Sequence, residues 1–233
     1  MSLSNIKAVT FDYFGTLVDV ERGASSGMQR VLREIGRSDV DHVKTYLRLD
    51  ELNVQLYRVG PYRKYRDVAA QSMKACLAEF EPEVFTDMRY QELADIFLEG
   101  LAKDSAPQPE VPAALDALIA RGLTLMPITN MDSDLWQMTS LAKYFQHLTT
   151  AEMAEAYKPQ ERIFRTALTR LNLGVQDVLH VAISPWADIE GAKPLGFKVV
   201  WINRNNNLLG PWTPRPDFEL PDVSGLPALF DRR

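Results

Sequence analysis

The stretch from about residue 20 to residue 104 carries no strand signal, while the sequence on both sides of it does, and few folds accommodate such an interruption. Within it the apolar residues fall at helical spacing. Met28, Val31, Leu32 and Ile35 make one stripe, Val43, Leu47, Leu49, Leu52 and Leu56 another, and further helical stretches lie near 65–80 and 88–103. An all-helical cap of four helices over 20–104 is therefore expected. Ser105–Ala106–Pro107–Gln108–Pro109 reads as the linker that leaves it, because prolines discourage continued helix. Before and after, strands alternate with helices. Residues 6–11, 123–128, 148–150, 178–183 and 198–202 read as strands, with helices near 111–121, 133–143 and 160–171 between them. Strands separated by helices argue for a parallel sheet with right-handed crossovers. The expected architecture is α/β: a doubly wound parallel sheet built from 1–19 and 105–233, interrupted by the helical cap.

The apolar run Ile6–Phe11 stops at Asp12–Tyr13–Phe14–Gly15–Thr16–Leu17. A carboxylate at the C-terminal end of a strand sits where open α/β sheets place their chemistry. Gly15 lets the backbone approach a ligand, and neighbouring amides can cradle an anion. A lone Asp-x-x-Gly-Thr could equally be a plain turn, but three later segments follow in an informative order. Thr129–Asn130 closes the second strand, and Asp132 or Ser133 suits the following helix cap better, which leaves Thr129 and Asn130 for a ligand. Lys158 stands before Pro159, and a cation within ~4–6 Å of Asp12 would lower its pKa and keep it ionised. Ala182–Ile183–Ser184–Pro185–Trp186–Ala187–Asp188 then ends another apolar strand.

With these four segments the chain resembles the haloacid dehalogenase superfamily, and the form D-Y-F-G-T-L resembles its L-2-haloacid dehalogenase branch. The resemblance implies Asp12 as nucleophile. Phosphatases of the superfamily carry a second Asp, an acid and base, at the position of Phe14, which can neither donate nor accept a proton. Their fourth motif supplies carboxylates for Mg²⁺, and here Ile183 replaces the first of them while Asp188 remains. No metal and no cofactor are expected. By the same resemblance Lys158 and Asp188 are catalytic, with Ser184 helping to orient Lys158 and the hydrolytic water. Tyr13, Phe14, Thr129, Asn130 and Tyr46 join Ser184 as expected substrate contacts. Dehalogenases of the branch stabilise the departing halide with a cap arginine. Spacing from Gly60 puts that position at Tyr46–Leu47, although a shift of one residue would restore it at Arg48.

An Asp nucleophile without a partner acid or metal suits displacement at the α-carbon of a small 2-substituted carboxylate, through an ester that water then opens. If Leu47 holds the arginine's place, a cationic leaving group is favoured, and ring-opening of L-azetidine-2-carboxylate is the first expectation. L-2-haloacid dehalogenation is the close alternative, a phosphatase a further one, and an inactive binding member the last. Composition narrows the rest. With 46% hydrophobic and 24% charged residues among 233, the chain is an ordinary globular one. A net charge of −5 with no basic stripe excludes nucleic acid as a partner. No 18-residue apolar run and no leader peptide appear, so no membrane partner is expected; Met1–Ser2–Leu3 reads as a cloning remnant. The lone Cys76 reads as core packing in a reducing cytoplasm, His42, His147 and His180 as structural, and a homodimer is compatible with the whole.

Overall fold

Residues Ala8–Phe11 form β1, buried on both faces, because an uninterrupted apolar run satisfies the two-sided environment of a parallel sheet. The computed structural model describes residues 3–81 and 84–231; Met1 and Ser2 lie outside the described residues. Five further strands join β1: β2 (Thr124–Thr129), β3 (Thr149–Thr150), β4 (Val178–Ala182), β5 (Lys198–Ile202) and β6 (Phe218–Leu220). Their spatial order is β3-β2-β1-β4-β5-β6, parallel throughout. The sheet is the expected doubly wound one. β1 lies between β2 and β4, where the winding changes direction, so the residue following Phe11 opens at the crevice of such sheets.

β6 was not among the expected strands. It has three residues, none of them buried, and so lacks the apolar run that marks β1, β4 and β5. Asp217, just before it, accepts from the Val199 amide at 2.7 Å and from the Lys193 ammonium at 2.7 Å, which pins the edge strand.

The chain divides into two compact units, one of residues 1–18, 107–130 and 143–233, the other of 19–106 and 131–142. The first holds the sheet, with α5 (Val111–Ala120) and α7 (Glu161–Leu171) among its helices. The second contains four long helices, α1 (Val20–Glu34), α2 (His42–Tyr57), α3 (Tyr65–Leu77) and α4 (Asp87–Asp104), and the short α6 (Ser133–Trp136). α1 and α4 approach closely because glycines meet: a Cβ on Gly27 would stand 2.4 Å from the Phe97 carbonyl oxygen, and one on Gly100 would stand 2.4 Å from Gly27 Cα. Cys76 is buried in this unit, and burial pushes its thiol up to about 12, consistent with packing.

Residues 131–142 depart from the expected division, and the physical reason is a helix cap. α3 has Lys64 at its N-cap position, which gives no side-chain cap. Asp132 supplies one instead, accepting from the Tyr65 amide at 2.8 Å and the Arg66 amide at 3.0 Å, while Arg66 reaches Asp134 at 2.5 Å. Asp132 thus caps a helix distant in sequence rather than the one it precedes. The linker also differs from a loose connection: Ser105 is fully buried, with its hydroxyl on the Leu101 carbonyl at 2.7 Å, and Pro107 bridges to Val18. Among the described residues no helix is long and apolar enough to cross a membrane.

Candidate active site

Asp12 leaves β1 into a tight turn closed by the Gly15 amide on the Val18 carbonyl at 3.0 Å. Gly15 has φ +82°, a left-handed conformation that glycine adopts without strain. One turn later Thr16 returns under the carboxylate and donates its hydroxyl to Asp12 Oδ2 at 2.5 Å. The direction of that bond is fixed, because Thr16 Oγ1 itself accepts from the Ile183 amide at 2.9 Å. The Ile183 carbonyl in turn accepts from Trp201 Nε1 at 3.0 Å. Ile183 has no carboxylate, yet its backbone ties the fourth motif to the first.

The other Asp12 oxygen faces Lys158. Its ammonium donates to Asp12 Oδ1 at 2.7 Å and to Asp188 Oδ1 at 2.8 Å, with Lys158 2% exposed and Asp188 fully buried. Burial of an ammonium is costly unless it is paired, and here one cation serves two carboxylates. Burial would lower the Lys158 pKa, but the two negative charges outweigh it and hold the ammonium above its ordinary value. Burial likewise works to raise Asp188, yet the Lys158 charge and the His180 hydrogen bond together leave it below the ordinary value. For Asp12 burial prevails: its carboxyl lies above the ordinary value despite the Lys158 charge, with the Asp188 charge adding to the rise. The cation acts on Asp12 in the expected direction, downward, without offsetting burial. Lysine limits a rise set by desolvation.

Lys158 is placed by its backbone. The Asn130 side chain accepts from the Lys158 amide at 2.8 Å and donates to its carbonyl at 3.3 Å. Asn130, expected as a substrate contact, instead grips the lysine loop, because a side-chain amide can satisfy both backbone groups of one residue. The Lys158–Pro159 peptide is cis. Beside it Gly191 leaves a notch: a Cβ there would lie 2.8 Å from the Pro159 carbonyl oxygen and 2.5 Å from the Phe164 ring.

Asp188 sits in a wide π-type turn, Pro185–Ile189, in which the Ser184 carbonyl accepts from both the Asp188 and the Ile189 amides, at 3.2 and 3.4 Å. The Ser184 hydroxyl, expected at the site, accepts from the Ala187 amide at 3.2 Å and so caps this turn. Asp188 Oδ1 also meets His180 Nε2 at 3.0 Å, and His180 Nδ1 meets Thr10 Oγ1 at 3.0 Å. His180, expected to be structural, is the group that joins Thr10 to Asp188. Its signal was a fully buried imidazole in register with Thr10 across β1 and β4, which no reading of one strand alone reveals.

Thr129 is buried at the last position of β2, and Tyr13 is fully buried with its ring edge-on to Phe14 at 5.1 Å, Phe14 itself being half-buried. Tyr46 lies on α2 in the helical unit, buried, its hydroxyl raised by burial and by the Glu21, Asp50 and Asp19 carboxylates. Leu47 is 50% exposed, and Arg48 spends its guanidinium on Glu79 at 2.7 Å and Glu51 at 3.0 Å. Among the described residues no group of three or more His, Cys, Asp or Glu gathers to hold a metal ion.

Known proteins show the same plan. A family model described as haloacid dehalogenase-like hydrolase matches residues 6–196. Haloacetate dehalogenase H-2 of Moraxella sp. (strain B) is 26% identical, over 98% of this chain and 99% of its own. An (S)-2-haloacid dehalogenase of Pseudomonas sp. (strain YL) is also 26% identical, covering 97% and 95%. In three dimensions the L-2-haloacid dehalogenase from Xanthobacter autotrophicus with chloropropionic acid covalently bound superposes with a TM-score of 0.80 over 97% of this chain and 98% of that one. At 19% identity it speaks for the fold.

Proposed function

Since the chain belongs to the haloacid dehalogenase-like hydrolases, we propose that it acts by nucleophilic displacement at the α-carbon of a small 2-substituted carboxylate, with 2-haloacids as substrates. One observation carries this reading: Asp12 is held by Lys158 and Thr16, while the sequence position at which phosphatases of the superfamily carry their acid and base is Phe14. A halide needs no proton to depart. Asp12 attacks the α-carbon opposite the carbon–halogen bond, halide leaves, and an ester joins the substrate to Asp12. Water then adds to the Asp12 carboxyl carbon, the ester opens, and the 2-hydroxy acid leaves with its configuration inverted once, in the first step. Thr129 and the turn amides are proposed to hold the substrate carboxylate, and Asp188 to accept the proton from water. Metal independence is proposed because Ile183 stands where phosphatases of the superfamily carry a Mg²⁺ carboxylate and because Lys158 already bridges Asp12 and Asp188.

The names of the relatives support halide ahead of ring amine as leaving group, which reverses the order expected from the sequence. Ring-opening of L-azetidine-2-carboxylate stays as a second reading, supported by the engagement of Arg48 with Glu79 and Glu51 and by Leu47 at the expected arginine position. The deciding experiment is a panel of L- and D-2-haloacids, L-azetidine-2-carboxylate and phosphate esters, with and without EDTA. Dechlorination of L-2-chloropropionate to D-lactate in EDTA supports the proposal. Azetidine turnover alone would move the assignment to the second reading, and phosphatase activity rescued by Mg²⁺ would remove both.

A further inference from the structure

His180 is fully buried, and its ring lies edge-on to Phe164 at 5.5 Å and to Phe197 at 6.3 Å between centroids. In this apolar surround its two nitrogens meet Thr10 Oγ1 and Asp188 Oδ1, each at 3.0 Å. A carboxylate accepts, so Nε2 carries the proton toward Asp188, and the Thr10 hydroxyl donates to Nδ1. Asp188 Oδ1 thereby receives both His180 and Lys158. Asp188 Oδ2 is buried with no hydrogen-bond partner among the described residues. A buried carboxylate oxygen without a donor needs a polar partner, and the reaction supplies one in the water that opens the ester.

We propose that His180, its Nε2–H tautomer set by the Asp188 carboxylate and accommodated by Thr10, is a positioning residue for ester hydrolysis: it and Lys158 occupy one oxygen of Asp188 and so present the other to the attacking water. This rests on the aspartyl-ester mechanism above. In the step itself a water proton passes to Asp188 Oδ2 as the water oxygen bonds to the Asp12 carboxyl carbon. The ester carbon–oxygen bond on that carbon then breaks, and the departing 2-hydroxy acid oxygen takes the proton back from Asp188. One original Asp12 oxygen thus leaves in the 2-hydroxy acid, and the water oxygen takes its place between Lys158 and Thr16. The first step, attack by Asp12 on the α-carbon, uses neither His180 nor the free oxygen. Loss of His180 therefore falls on the second step.

The test is rapid-quench kinetics on wild type, His180→Phe, His180→Gln and Thr10→Val, with the ester on Asp12 followed by mass spectrometry. His180→Phe fills the aromatic surround but offers no N–H. It is expected to keep a burst near one equivalent, lose about a hundredfold in steady-state rate and accumulate the ester. His180→Gln, with a side-chain N–H, should recover much of that loss, and Thr10→Val should lie between. A burst lost in proportion to the steady-state rate in folded protein, or hydrolysis unchanged in His180→Phe, overturns the proposal. Ring ¹⁵N resonances give a readout free of substrate: an Nε2–H tautomer is expected in wild type, and an Nδ1–H tautomer would also overturn it. If wild type forms no ester with any 2-substituted acid, the functional reading fails while the tautomer measurement still stands or falls alone.

Discussion

In the α/β unit the Lys158 ammonium, 2% exposed, serves two buried carboxylates, whereas in the helical unit Lys103 and Glu99 pair at 2.8 Å with each side chain about half exposed, at 49% and 48%. Arg48, Arg89 and Arg66 repeat the second pattern, mostly with partly exposed carboxylates. An exposed pair is screened by solvent and costs little to break, while a buried cation stripped of its partners is left uncompensated. The two units are therefore sensitive to different changes. Charge governs the first. Close backbone packing governs the second, where Gly27 and Gly100 leave no room for a side chain.

The contrast can be broken in four places. Asp12→Asn removes the nucleophile and should reduce kcat by about 10⁴-fold or more at unchanged circular dichroism, since the amide keeps the shape of the acid. Residual turnover within tenfold of wild type would show that water attacks the substrate directly. Next in size, Lys158→Met leaves two buried carboxylates facing one another without a cation. A loss of about 3–5 kcal/mol in urea unfolding is expected at neutral pH, together with slower turnover. The same residue sets a pH signature. Attack requires ionised Asp12, whose pKa is raised by burial, so kcat/KM should climb with pH through a limb above that of an ordinary aspartate. Removing the Lys158 charge that opposes this rise should move the limb to still higher pH. In the helical unit Gly27→Ala should cost about 1–3 kcal/mol by overpacking against Phe97. Smallest of all, Lys103→Ala should stay within about 0.5 kcal/mol, and a larger loss would mean that exposed pairs in this unit count for more than the contrast allows.

What the sequence shows of this fold depends on whether a residue's role is local. β1, β4 and β5 are legible because a strand buried on both faces must be apolar along its length, and Asp12, Lys158 and Asp188 because strand ends and the Lys-Pro turn mark them. Roles created by distant partners were misread. Asp132 looked like a cap for the helix it precedes and caps α3 instead. Asn130 looked free for a ligand but has both polar atoms on the Lys158 backbone, and Ser184, read as a site hydroxyl, also opens a turn as its cap. His180 gave no local hint because its meaning comes from the strand beside it. β6 was passed over for the opposite reason, a strand held by the edge of the sheet rather than by its own side chains.

Gly191 touches none of the reacting groups, yet the lysine loop rests in the space its missing side chain leaves beside Pro159 and Phe164. In a library of single substitutions selected for growth on the substrate, this position should be as intolerant as Lys158 itself. Even alanine would shift the loop and draw the ammonium away from Asp12. The address of the cation is thus written twice in the chain, once as a lysine and once as a hydrogen atom.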